Sequence, residues 1–146
     1  MPSVVAMDER IVMVDSGTGL AITERQLDER SAAASILLRR RGVRPGDTVL
    51  ICLPVGPDLL VATDAVIAVG GIACPVPPEL EEAGLRERIR GSRARLMITD
   101  LRAAVRAAEE SRVRMVLGVA DLRRPGDALR QSGRSEPRTS GNWPCV

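Results

Sequence analysis

Few side chains in this sequence could do chemistry. Cys52, Cys74 and Cys145 are the thiols, Glu79, Glu81 and Glu82 form the densest carboxylate group, Gly17-x-Gly19 follows an apolar stretch as a phosphate loop would, and Arg39-Arg40-Arg41 is the densest cationic run. General bases reduce to carboxylates and cysteine, because the 146 residues contain no His, no Tyr and no Lys.

Each group has a plainer reading. Three widely spaced cysteines without a CxxC pair indicate neither a disulfide framework nor a zinc site. Cys52 and Cys74 fall in apolar runs where a thiol behaves as a small hydrophobe, and Cys52 lacks the His or Lys that would activate a nucleophile. The glutamates have no His and no second acidic cluster beside them, so they read as the solvated first turn of a helix instead of metal ligands or paired acids. Gly17-x-Gly19 fails as a dinucleotide fingerprint: Ile22 holds the third glycine position, and the next helix starts at Thr23 or Glu24, too late to face a phosphate in that loop. The arginine run sits at a helix end, where cations answer the negative end of the dipole. No catalytic, cofactor-binding or metal-binding residue is assigned.

Composition narrows the class. The length suits one domain, and 45% apolar residues suffice for a core, but Phe is absent and Trp143 is the one aromatic, so that core is aliphatic. A net charge of +2, with every basic residue an Arg spread along the chain, predicts no nucleic-acid footprint. No apolar run approaches membrane-spanning length, and Asp8, Glu9 and Arg10 interrupt the early apolar stretch, so a cytoplasmic protein without a signal peptide is expected.

The elements that must position any site follow from punctuation and periodicity. Ile11–Val14 and Leu20–Ile22 flank turn formers and read as a short hairpin. Thr23 and Gln26 have capping-box spacing, and the helix that follows is amphipathic, with Leu27, Ala34 and Leu38 on one face and Arg25, Asp28 and Glu29 on the other. Gly42 supplies a left-handed helix stop and Pro45-Gly46 fits a type II turn. Val49–Leu53 is then a buried strand, Pro57 opens a helix apolar around most of its girth and therefore expected to be sandwiched, and Gly70-Gly71 stops it. Ile72–Val76 is a second strand, and Pro75 places it near an edge or at a strand end. A third helix opens with Glu79, Glu81 and Glu82 and buries Leu80, Leu85 and Ile89. Arg95–Thr99 is a strand, Asp100 caps a fourth helix, and Val113–Val119 is another strand. The fold class is α/β: three layers, a mostly parallel sheet with helices on both faces, preceded by the hairpin. Residues 120–146, rich in Arg, Gly, Ser and Pro, are expected to be a disordered tail after a domain over 1–119.

The ordered segments "RGVRPGDTVLICLP" at 41–54 and "VIAVGGIACPVP" at 66–77 resemble the start of the adenylate-forming (AMP-binding) superfamily of acyl-CoA synthetases, luciferases and adenylation domains. Ile22, Thr23 and Leu27 match that family's opening "LTYxEL", with Glu24 where an aromatic is usual. The resemblance implies a partial copy of the family's large N-terminal domain. It also implies, for a full-length relative, ATP with magnesium and coenzyme A or a carrier arm: a carboxylate becomes an acyl-adenylate and then a thioester. Such chemistry uses a Gly/Ser/Thr-rich loop ending in Lys, an aromatic segment at the adenine, an acidic residue on the ribose and a lysine from a small C-terminal domain. None can be placed here, both lysines being ruled out by composition. Thr139-Ser140-Gly141 copies the first three residues of the family's loop, but Asn142-Trp143-Pro144 follows, so it reads as coincidence or the scar of a truncation. The expectation is a truncated N-terminal portion of an acyl-CoA synthetase-like ligase, inactive alone, that binds no cofactor and either meets its missing remainder or self-associates through an exposed apolar face. The alternatives are a stand-alone α/β interaction module or partner subunit, and a divergent small-ligand-binding domain.

Overall fold

A computed structural model describes residues 10–14, 19 and 21–123. Strands β1 (Ile11–Val14) and β2 (Ala21–Thr23) pair antiparallel, with a register irregularity between Ile11 and Met13. Helix α1 (Glu24–Arg40) follows directly, its start closed by the expected box: the Gln26 N–H donates to Thr23 Oγ1 at 3.1 Å and the Thr23 N–H to Gln26 Oε1 at 3.0 Å. Ile22 anchors the hairpin in the core, while Ile11 and Val14 are exposed.

The sheet proper has the order β4-β3-β5-β6, all parallel. Its strands are β3 (Thr48–Cys52), β4 (Ile72–Pro75), β5 (Leu96–Thr99) and β6 (Met115–Leu117). Helices α2 (Pro57–Ala68), α3 (Glu82–Gly91), α4 (Arg102–Ala108) and α5 (Val119–Arg123) complete the unit. Alternate strand residues enter two cores: Val49, Ile51 and Ile98 pack with α1, α2 and α5, whereas Leu50, Cys52 and Met97 pack with α3 and α4. Burial on both faces explains the unbroken apolar reading of β3 and β5.

Two turns set the register of β3 against β4. Gly42, at φ 96°, follows the α1 cap, and the Val43 N–H reaches back to the Leu38 carbonyl at 3.0 Å. Gly70, at φ 82°, does the same for α2, with the Gly71 N–H donating to the Val66 carbonyl at 2.9 Å. Between them Arg44-Pro45-Gly46-Asp47 closes a type II turn, Gly46 standing at φ 90°. The turns then bond to each other: the Gly46 N–H donates to the Gly70 carbonyl at 2.8 Å and the Ile72 N–H to the Asp47 carbonyl at 2.7 Å.

Several expectations change at the level of elements. α2 is not sandwiched: it lies on one sheet face beside α1, burying Val61, Ala62, Ala65 and Val66 and leaving Ile67 60% exposed. Its apolar girth exceeds what one layer covers. α3 starts at Glu82, not Glu79, and Leu80 precedes it half-buried. Asp100 does not cap α4; Leu101 holds the cap position without a side-chain bond. The last strand shrinks to Met115–Leu117, because Val119 opens α5, and Leu122 is buried four residues after the Gly118 turn. Packed structure therefore runs past residue 119. The remaining tail residues, the 15–18 loop with Gly17, Thr139-Ser140-Gly141, Trp143 and Cys145 lie outside the described residues.

Two glycine substitutions separate the constraint from mere composition. Gly70→Ala puts a Cβ at positive φ and 3.1 Å from Pro45 Cβ, and is expected to cost about 1–2 kcal/mol or more in urea unfolding. Gly91→Ala, at the end of α3 with nothing within 4 Å of the new methyl, is expected to be neutral or stabilising by up to about 1 kcal/mol.

Candidate functional site

In an open parallel sheet the place to look is the carboxyl edge where the strand order reverses, because the loops there diverge and leave a crevice. The order β4-β3-β5-β6 puts that point between β3 and β5. Here the crevice is bridged by the protein's own groups. Thr99 Oγ1 donates to the Cys52 carbonyl at 2.7 Å and accepts from the Leu101 N–H at 3.0 Å. Next to it Asp100 Oδ1 accepts from the Val119 N–H at 3.0 Å and Asp121 Oδ2 from the Gly118 N–H at 2.9 Å. A methyl on Gly118 would stand 2.8 Å from Asp100 Oδ1, so the β5 and β6 loops meet without room for a side chain. Val55, in the loop after β3, is 78% exposed.

The helix N-terminus beside the crevice already carries an anion. Asp58, in the first turn of α2, accepts from Arg30 Nη2 at 2.6 Å and from Arg123 Nη2 at 2.9 Å and Nε at 3.3 Å, tying α1, α2 and α5 together. Burial pushes the Asp58 carboxyl up, but the hydrogen bonds and charges of Arg30 and Arg123 outweigh it, and its pKa falls below the usual Asp value. Sequence reading missed this clamp because Arg123 stands in a stretch whose composition looks unstructured.

The other candidates do not converge. Cys52 is buried among Leu50, Leu85 and Met97. Burial pushes its thiol up, the bond with Thr99 opposes that and Glu79 adds to it, the reverse of what a nucleophile needs. Cys74 is a free, half-buried thiol on the edge strand β4, lining a depression of about 570 Å³ with Leu80, Gly84, Glu87 and Arg88. That depression lies at the outer edge of the sheet, away from the reversal point. Of the three glutamates, Glu79 and Glu81 are exposed before α3, and Glu82 pairs with Arg106 at 3.2 Å and Arg86 at 3.5 Å. The hydrogen bond and charge of Arg106, with the charge of Arg86 added, lower its pKa. Among the described residues no group of three His, Cys, Asp or Glu side chains could hold a metal ion. Gly19 stands at φ 76° and β2 runs directly into α1, while Gly17 lies outside the described residues.

The described residues thus form a parallel β-α-β unit built on the two interlocked turns, preceded by a hairpin and a boxed helix. The chain belongs to the AMP-binding enzyme family, whose pattern matches residues 3–142. Among curated proteins it is 28% identical over 122 residues to Tyrocidine synthase 2 of Brevibacillus parabrevis, covering 84% of this chain and 3% of that one. It is 40% identical over 68 residues to Pyochelin synthetase PchE of Pseudomonas aeruginosa, covering 47% of this chain and 5% of the relative. The N-terminal subdomain of Klebsiella oxytoca NpsA, solved with anthranilyl-AMSN, superposes with a TM-score of 0.68 at 22% identity, covering 97% of this chain and 32% of that one. The anthranilate CoA ligase AuaEII, solved with anthranoyl-AMP, gives 0.72 at 16%, covering 85% of this chain and 26% of that one. The chain thus spans a few per cent of these curated relatives and under a third of these solved structures.

Membership of an AMP-binding family implies a nucleotide, and the described residues do not fit its phosphates. The 146 residues hold no Lys for a triphosphate. The crevice is spanned by Thr99, and the α2 N-terminus is filled by Asp58 with its two arginines.

Two outcomes are expected. Because Asp58 has a depressed pKa in the folded state, its stabilisation is full above the ordinary Asp range and is lost as pH falls through the folded value. Asp58→Asn should cost up to about 1 kcal/mol at neutral pH, the half-exposed arginine limiting the effect. It should also flatten the acid limb of a stability-against-pH curve. A maleimide added to native protein should modify Cys74 well before Cys52, read by peptide mass mapping, with both reacting in urea.

Proposed function

We propose that this chain is the opening portion of the large domain of an adenylate-forming ligase, a cytoplasmic enzyme that activates a carboxylic acid with ATP and passes it to a thiol. By itself it supplies scaffold and no catalysis. The observation that carries the reading is the conjunction of a family-typical β-α-β frame with a carboxyl edge occupied by Thr99, Asp100 and Asp58 and a chain devoid of lysine. Electrostatic stabilisation of the developing phosphate charge is the main catalytic term in such reactions, and its loss costs orders of magnitude. The groups that grip the triphosphate come, on this reading, from sequence outside these residues. The acceptor is coenzyme A or a carrier arm. The acid it activates is set by the same outside sequence.

One observation favours a second form of the same idea, a separately folded partner subunit. Both faces of the four-stranded sheet are covered by helices and both cores are closed, so the unit does not depend on a further layer to bury them.

The test is pyrophosphate exchange. The chain alone, given ATP, magnesium and a panel of amino, aryl and fatty acids, is expected to exchange no labelled pyrophosphate into ATP and to show no thermal shift with an acyl-adenylate analogue. Exchange by the isolated chain, above that of heat-denatured protein, would refute the reading.

A further inference from the structure

The parallel fold sorts charge that looks scattered along the sequence. Every helix preceding a sheet strand ends, and every sheet strand begins, at the amino edge of the sheet, and this chain places its arginines at those junctions. Arg39 and Arg40 close α1, Arg93 and Arg95 lead into β5, and Arg112 and Arg114 lead into β6, all exposed. The Arg114 N–H donates to the Arg95 carbonyl at 2.7 Å, so the last two pairs are neighbours across adjacent strands. Arg41, from α1, reaches to 4.0 Å of Met115 Sδ and brings the first group against them. The carboxylates on this rim are already engaged or few: Asp47 accepts from the Arg44 N–H at 2.9 Å, Glu110 pairs with Arg90 at 3.3 Å, and Glu109 stands at the α4 cap. Arg39, Arg40, Arg93, Arg95, Arg112 and Arg114 are in no ion pair among the described residues.

The opposite sign collects elsewhere. On the outer side of α1 and α2, Asp28 and Glu29 are exposed with Arg25 one turn before them, and Asp64 lies close enough to Asp28 that burial and that neighbouring charge both raise its pKa. Like charges left together in this way are stabilised by an incoming cation. A large apolar side chain shares this surface: Ile67, 60% exposed, is one turn from Asp64. An exposed isoleucine beside carboxylates has the make-up of an interface with a polar rim. Residues 124–146 are no match for the arginines, since they hold four Arg (124, 130, 134, 138) against Asp127 and Glu136.

We propose that copies of this chain associate head to tail, the arginine rim at the amino edge of one sheet seating on the α1–α2 surface of Asp28, Glu29 and Asp64 of the next. Because the two surfaces differ, the contact is heterologous and does not stop at a dimer. This is distinct from pairing through the β4 edge, which would join like to like.

Sedimentation velocity of the whole chain over a concentration series tests it. At about 10 mM salt, where screening extends about 30 Å, the weight-average mass should rise with concentration beyond that of a dimer; at about 1 M, where it extends about 3 Å, it should return to monomer. Arg93→Glu with Arg112→Glu, and separately Asp28→Arg with Asp64→Arg, should each weaken association at least about tenfold, with helical circular dichroism unchanged. Mixing the two variants should restore it, an outcome that mere misfolding of either cannot give. A chain that stays monomeric at low salt overturns the proposal, as does a dimer that stops at two and survives high salt. Duplex DNA binding that the Arg pair abolishes, with self-association untouched, overturns it as well.

Discussion

The bond from the Gly46 amide to the Gly70 carbonyl, 2.8 Å long, is what the sheet depends on. It fastens the turn that launches β3 to the turn that launches β4, and with the Asp47–Ile72 bond beside it the two strands have one possible register. A slip of one residue would exchange the two faces of β3, sending Val49 and Ile51 toward α3 and α4 and Leu50 and Cys52 toward α1 and α2. Close approach is the condition for this. A methyl on Gly71 would lie 3.0 Å from the Asp47 carbonyl and one on Gly70 3.1 Å from Pro45, so the glycines are required by space as well as by dihedral angle. The two segments that carry the family resemblance are thus halves of one junction in this chain.

Legibility followed how local the physics was. The Thr23–Gln26 box, the Gly42 and Gly70 stops, the type II turn and the Pro57 start are decided within a few residues, and each is where the chain's chemistry puts it. Pro75 marked an edge correctly because a missing N–H is a local fact with a tertiary consequence. What escaped was set at a distance. Asp100 looks like a helix cap, but the nearest orphan donor belongs to Val119, nineteen residues on. Arg123 looks like part of a polar tail until Asp58 and the buried Leu122 are seen beside it. The sandwiched α2 was a sound reading of composition that ignored how many layers the chain supplies.

The same distinction applies to the site. Absence of lysine is visible at once, and no arrangement of the chain can alter it. The occupied carboxyl edge is not visible: Thr99 reads as an ordinary strand residue, yet its hydroxyl joins the carboxyl ends of β3 and β5. Charge showed a third pattern. Arginines dispersed through the sequence gather on one rim because each answers a helix end or opens a strand, and a parallel sheet aligns all such points.

The aliphatic core carries a consequence for anyone working with this molecule. Between Ile11 and Arg123 there is no indole, phenol or benzyl ring, so the packed unit is dark in the near ultraviolet. Absorbance at 280 nm reports Trp143 alone, and fluorescence follows the surroundings of that one residue whether or not the sheet is intact. Unfolding of the packed unit is followed instead through the backbone, by circular dichroism, or through exposure of the buried Cys52 thiol.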